Sequence, residues 1–113
     1  MSAANTGITI EQRACYDLTL TIQKGGEIYN LSGVSLTGQV RREFDDALQA
    51  IFKTEVLNAS SGIAKISLDG LQTLGLDLAP SYWDLYADKS GQCPDKLLSG
   101  PVYIIKSSTK WVI

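Results

Sequence analysis

Cys15-Tyr16-Asp17-Leu18-Thr19-Leu20-Thr21-Ile22-Gln23 is the stretch on which the fold class turns. Tyr16, Leu18, Leu20 and Ile22 fall on one side of an extended chain, and Asp17, Thr19, Thr21 and Gln23 on the other. Successive side chains of a strand point to opposite faces, so strict alternation over this length predicts a half-buried strand. Lys24-Gly25-Gly26-Glu27 comes next, and a Gly-Gly pair in that place predicts a hairpin turn. The returning arm, Ile28-Tyr29-Asn30, is short, and Leu31-Ser32-Gly33 predicts a second turn.

Working outward, Val34 to Glu43 alternates again, with Val34, Leu36, Gly38 and Val40 toward the core. Gly38 inside a strand predicts a bulge or a close backbone approach. Ala47 to Val56 admits a strand or a short helix; strands on both sides favour strand. Asn58 to Gly62 is a turn cluster, and Ile63 to Leu68 a strand with Ala64, Ile66 and Leu68 inward. Asp69 is placed to cap one or two helical turns that Gly75 would end, and Pro80 blocks any continuation. Tyr82 to Asp88 alternates with Trp83, Leu85 and Ala87 inward, which predicts Trp83 as a core aromatic. Lys96 to Lys106 returns with Leu98, Val102 and Ile104 inward. Pro101 has no N–H to donate, which puts that strand at a sheet edge or at a change of sheet. About seven short strands, with turn signals every eight to twelve residues or so, are the signature of a sandwich or barrel. A parallel α/β fold needs crossover helices for which the chain has no room. The reading is one all-β domain over residues 1–113, with an N-terminal arm at 1–14, a C-terminal tail at 107–113 and at most one short helical turn near 69–76.

A chain of 113 residues buries enough surface to fold without metal or disulfide. Its 10 basic and 12 acidic residues are interspersed, without the clustered basic excess that phosphate binding requires, so no nucleic-acid partner is expected. No apolar run is long enough to span a membrane, and the N-terminus does not read as a secretory signal. Cys15 and Cys93 are therefore expected in a reducing cytoplasm, which favours free thiols over a disulfide. The chain has no histidine, the commonest general base and the usual partner of a Ser or Cys nucleophile. Two cysteines without histidine do not make a usual zinc site. Asp45-Asp46, and Asp84 with Asp88, are candidate carboxylate pairs for hydrolysis or calcium binding, but turn formation and a solvated strand face explain them better. No enzyme activity, cofactor or metal is expected. Tyr82, Tyr86 and Tyr103 are candidates for stacking on sugars.

Three blocks of the sequence carry a resemblance. The first is Tyr16-Asp17-Leu18-Thr19-Leu20-Thr21-Ile22, with Leu31-Ser32-Gly33-Val34-Ser35-Leu36 and Gln39-Val40-Arg41. The second is Gly62-Ile63-Ala64-Lys65-Ile66-Ser67-Leu68, with Leu78-Ala79-Pro80-Ser81-Tyr82-Trp83-Asp84-Leu85. The third is Lys96-Leu97-Leu98-Ser99-Gly100-Pro101-Val102-Tyr103-Ile104. In that order they resemble the immunoglobulin-like domain of baseplate upper proteins and small virion proteins of tailed bacteriophages. The resemblance implies an immunoglobulin-like antiparallel sandwich that links parts of a virion assembled in the host cytoplasm. It also implies other virion proteins as partners, in a homo-oligomer or symmetric array. A tail, baseplate or fibre-attachment role is favoured over head decoration on the outer capsid lattice, with a carbohydrate-binding module behind both. The interface candidates are Ile8 and Ile10 in the N-terminal arm, Arg41 and Arg42 at a strand end, and the apolar Trp111, Val112 and Ile113.

Overall fold

The computed structural model describes residues 4–106. In chain order the elements are β1 (Ala4–Asn5), β2 (Ile8–Glu11), β3 (Tyr16–Thr21), β4 (Gln23–Lys24), β5 (Glu27–Ile28) and β6 (Val34–Arg42). They continue with β7 (Leu48–Ile51), β8 (Lys53–Asn58), β9 (Ile63–Leu68), α1 (Gly70–Leu74), β10 (Ser81–Lys89) and β11 (Asp95–Ile105). One sheet has the order β1-β11-β10-β6-β7, with β2 also on β11; the other is β3-β9-β8, and β4-β5 is a separate hairpin. The chain is thus an all-β sandwich. Its strands β3, β9 and β8 pack against β6, β10 and β11 around one core.

Alternation builds the interface between the sheets. Trp83, Leu85 and Ala87 of β10, Val40 of β6, and Ala64, Ile66 and Leu68 of β9 are all buried in one core. Trp83 is fully buried, as its register predicts, and its indole N–H donates to the Thr6 carbonyl at 2.8 Å, so the buried polar atom is satisfied. Gly38 is a close approach rather than a bulge. A Cβ there would stand 3.1 Å from the Phe52 ring and 3.3 Å from Leu85. The register shift of β6 falls instead between Val40 and Arg41. The Gly25-Gly26 turn has φ values of 64° and 82°, the two left-handed residues of a type I′ hairpin. Asp69 caps α1 as expected. Its carboxylate accepts from the Gln72 amide at 2.8 Å, the Gln72 side chain accepts from the Asp69 amide at 3.0 Å, and Gly75 is the C-cap.

Three expectations are corrected. The strand expected over 47–56 is two strands in different sheets. They part at Phe52, whose amide donates to Gly38 at 2.9 Å and whose ring meets Trp83 edge-on at 6.0 Å. In β11, Leu98 packs against the core as expected, but it lies opposite Leu85 while Lys96 lies opposite Tyr86, so Leu97 is the unexpected extra residue of a bulge and is buried as well. Most consequentially, residues 4–11 are not an arm. β1 and β2 pair in parallel with β11, so the large sheet is mixed rather than antiparallel. The two strands keep one register, with Ala4 opposite Leu98 and Ile8 opposite Val102, and the gap between them lies opposite Pro101. Thr6 donates to the Ser99 carbonyl and Gln12 to that of Ile105, so odd residues of β11 turn their backbone groups toward this edge. Pro101 is one of them and has no N–H to give, which explains the interruption.

Candidate functional site

The interface candidates separate cleanly. Ile8 and Ile10 are 5% and 0% exposed, because the alternation of β2 turns both into the core; neither offers a surface to a partner. Arg41 is half-buried and donates twice to the Gln39 side chain, at 3.1 and 2.8 Å, and once to the Asp46 carbonyl at 2.9 Å. Arg42 pairs with Asp45 at 2.8 Å and with Asp77 at 3.0 Å, and lies 5.2 Å over the Phe44 ring. The Ala79 amide and then Arg42 hold the Asp77 carboxyl below its ordinary range. Both arginines thus fasten the β6–β7 turn, and Arg42 also ties it to the segment after α1. Trp111, Val112 and Ile113 lie outside the described residues.

The carboxylate pairs behave as turn and surface residues. Asp45 accepts from the Ala47 amide at 3.2 Å, closing the turn. The Tyr82 hydroxyl donates to Asp46, which raises the pKa of the phenol. No cluster of three or more metal-ligating acids, cysteines or histidines occurs among the described residues. Cys15 and Cys93 are exposed free thiols. Tyr29 marks another fastening point. Its hydroxyl donates to Asp95 at 3.0 Å, Lys24 pairs with Asp95 at 3.2 Å, and the ammonium groups of Lys24 and Lys89 lie 6.0 and 5.3 Å from its ring.

Two concave surfaces are lined by described residues. One is a polar cleft of about 310 Å³ on the outer face of the large sheet, between Thr37 and Gln39 of β6, Asp84, Tyr86 and Asp88 of β10, and Pro94. Lys96 lies 5.7 Å from the Tyr86 ring. The other is an apolar groove made of two depressions, about 380 and 340 Å³, that share Glu43 and Pro80. The larger runs between Leu78-Ala79-Pro80 and Pro101 to Ile104 of β11, and the smaller reaches Phe44. Phe44 is 72% exposed, Tyr103 60% and Leu78 50%, so three large apolar side chains face water around the two adjoining depressions.

Sequence reasoning missed this groove. In the sequence Phe44 stands beside the turn-forming Asp45-Asp46, and Leu78-Ala79-Pro80 carries neither strand nor helix periodicity. The available signal was an aromatic placed in a polar turn, beside Asp45-Asp46, where no core is within reach. No protein-family model matches the sequence, and no curated protein is significantly similar to it.

Proposed function

We propose that this chain is a non-enzymatic structural subunit of a tailed-phage virion, joining tail, baseplate or fibre components through protein contacts. The carrying observation is the apolar groove, whose Phe44, Leu78 and Tyr103 are held exposed on a well-packed sandwich. Exposed apolar surface gathered around a hollow marks an interaction site, whereas scattered apolar residues would not. The sandwich supplies the rigid support. Arg42, Asp45 and Asp77 fix the turn that presents Phe44. The virion assignment draws on the sequence resemblance over roughly residues 15–106, the span of one whole sandwich domain.

Labelled antibody on purified particles, viewed by electron microscopy, is the test. Label at the tail end, in a copy number following three- or six-fold symmetry, is the expected result. Label around the shell would assign head decoration, and unlabelled particles would refute a virion role. The polar cleft with Tyr86, Gln39 and Asp84 favours a second reading, a carbohydrate-binding module, since planar polar groups beside an aromatic ring suit sugar hydroxyls and faces. Saturable glycan binding that is lost in Tyr86→Ala is its signature.

A further inference from the structure

The groove has a backbone side as well as an apolar one. The last register position of β10 against β11 is Ser81 opposite Val102, yet β11 continues to Ile105 because β2 supports its other edge. Ser99 and Ile105 turn their carbonyls toward the N-terminal strands. By alternation, Ile104 turns its N–H and C=O the other way, into the groove. Ala79 would be the next residue to meet it. Its amide instead donates to the Asp77 carboxylate at 3.1 Å, and its carbonyl accepts from the Ser81 hydroxyl at 3.1 Å. The ladder stops one step early, and the strand edge at Ile104 opens onto an apolar hollow.

The rim is negatively charged. Among the described residues that line the two depressions, Glu43 is the one charged side chain, and beside it in sequence Arg42 is committed to Asp45 and Asp77. Glu43 forms no ion pair among the described residues. It is exposed and lies where the two depressions meet.

We propose that this groove receives an extended peptide segment of a partner protein, apolar in its centre and carrying one lysine or arginine. The segment continues the ladder at Ile104, seats an apolar side chain between Tyr103 and Leu78, and sets its cation on Glu43. Strand addition of this kind draws affinity from backbone hydrogen bonds and specificity from pockets for alternate side chains. Two depressions meeting at Pro80 provide such pockets. The proposal rests on the reading of the chain as a binding module. Particle labelling tests that reading separately, so the two can fail independently.

The experiment titrates the full chain into a fluorescein-labelled hexapeptide, Ser-Lys-Val-Trp-Val-Ser, and follows polarisation, with amide shifts of isotope-labelled protein as a map. Saturable binding is expected, with shifts at residues 43–44, 78–81 and 101–105. Glu43→Lys weakens it about five- to tenfold, and replacing the peptide lysine by glutamate recovers binding to that variant. Tyr103→Ser, at an exposed position, weakens it by a similar factor without unfolding the domain. Absence of saturable binding overturns the proposal. So do binding indifferent to both substitutions and shifts centred on Tyr86 and Gln39.

Discussion

Gly62 joins β8 to β9 with a φ of 69°, and a Cβ there would lie 2.8 Å from the Ile22 carbonyl and 2.8 Å from that of Tyr29. Gly62→Ala therefore meets two penalties. The left-handed conformation costs an L-residue about 1–2 kcal/mol. The second comes from backbone oxygens, which cannot swing aside as a side chain can. The Ile22 amide donates to the Gly62 carbonyl at 2.8 Å and the Tyr29 amide to the Ile22 carbonyl at 2.9 Å, so relieving the clash disturbs both bonds. Weakening even one of them adds about 1 kcal/mol, which with the first penalty makes about 2–3 kcal/mol. Gly33 provides the control, with φ 72° and nothing within 4 Å of its Cβ position; Gly33→Ala pays the conformational penalty alone. Urea unfolding at neutral pH measures both. With m near 1.5 kcal/mol/M, within the range for small domains, the midpoint falls by roughly 1.3–2 M for Gly62→Ala and by roughly 0.7–1.3 M for Gly33→Ala. Equal midpoint shifts at equal m would refute the steric argument.

Phe52→Ala removes the ring that meets both Trp83 and Tyr16 where the chain crosses between sheets, and is expected to cost about 3–5 kcal/mol in the same assay. Asp95 is held below the ordinary 3.8, first by the Tyr29 hydroxyl and then by Lys24. Its contribution is therefore present above the unfolded value and lost as the pH falls through the lowered folded one. Thermal melts from about pH 6 to about pH 2 should show a shallower acid decline for Asp95→Asn than for the parent chain. Cys15 and Cys93 are exposed and unpaired, so a thiol reagent should titrate two thiols per native chain, as fast as in denaturant. A single slow thiol would contradict the placement of one of them.

Local alternation made most strands legible. Each side chain's face is set by its immediate neighbours, and the turns carry glycines whose backbone demands are equally local. The change of sheet at Phe52 was not legible for a related reason. Ala50 and Phe52 are both buried, so the two-residue phase runs unbroken through the crossing and gives no hint that the partner strand has changed. Alternation at Ile8-Thr9-Ile10-Glu11 was equally plain, but its partner, Val102 to Ile105, lies at the far end of the chain. Pairing across that distance leaves no mark in either segment alone, and two apolar residues near a terminus then look like free adhesive surface. The groove combines both difficulties. It depends on where β10 begins relative to the end of β11, and on which way one loop amide points.

That amide is where local chemistry decides the surface. Asp and Asn side chains hydrogen-bond backbone amides two residues on, offering the chain an alternative to the sheet ladder. Asp77 does this to Ala79 while also pairing with Arg42, so one carboxylate ends the β10–β11 ladder and anchors the turn that displays Phe44. Had Ala79 paired with Ile104, the notch would close and Leu78 and Tyr103 would flank a continuous sheet. The open strand edge thus follows from one short-range hydrogen bond, and the same carboxylate, through Arg42, holds the turn that carries Phe44. This separates the groove from incidental apolar exposure such as that of Leu71, which sits 71% exposed on a single helical turn and lines neither depression. Surface whose apolar and backbone groups are left open together, beneath a carboxylate with no ion pair among the described residues, is complementary to an extended cationic segment in each respect, and a scattered apolar residue is complementary to nothing in particular.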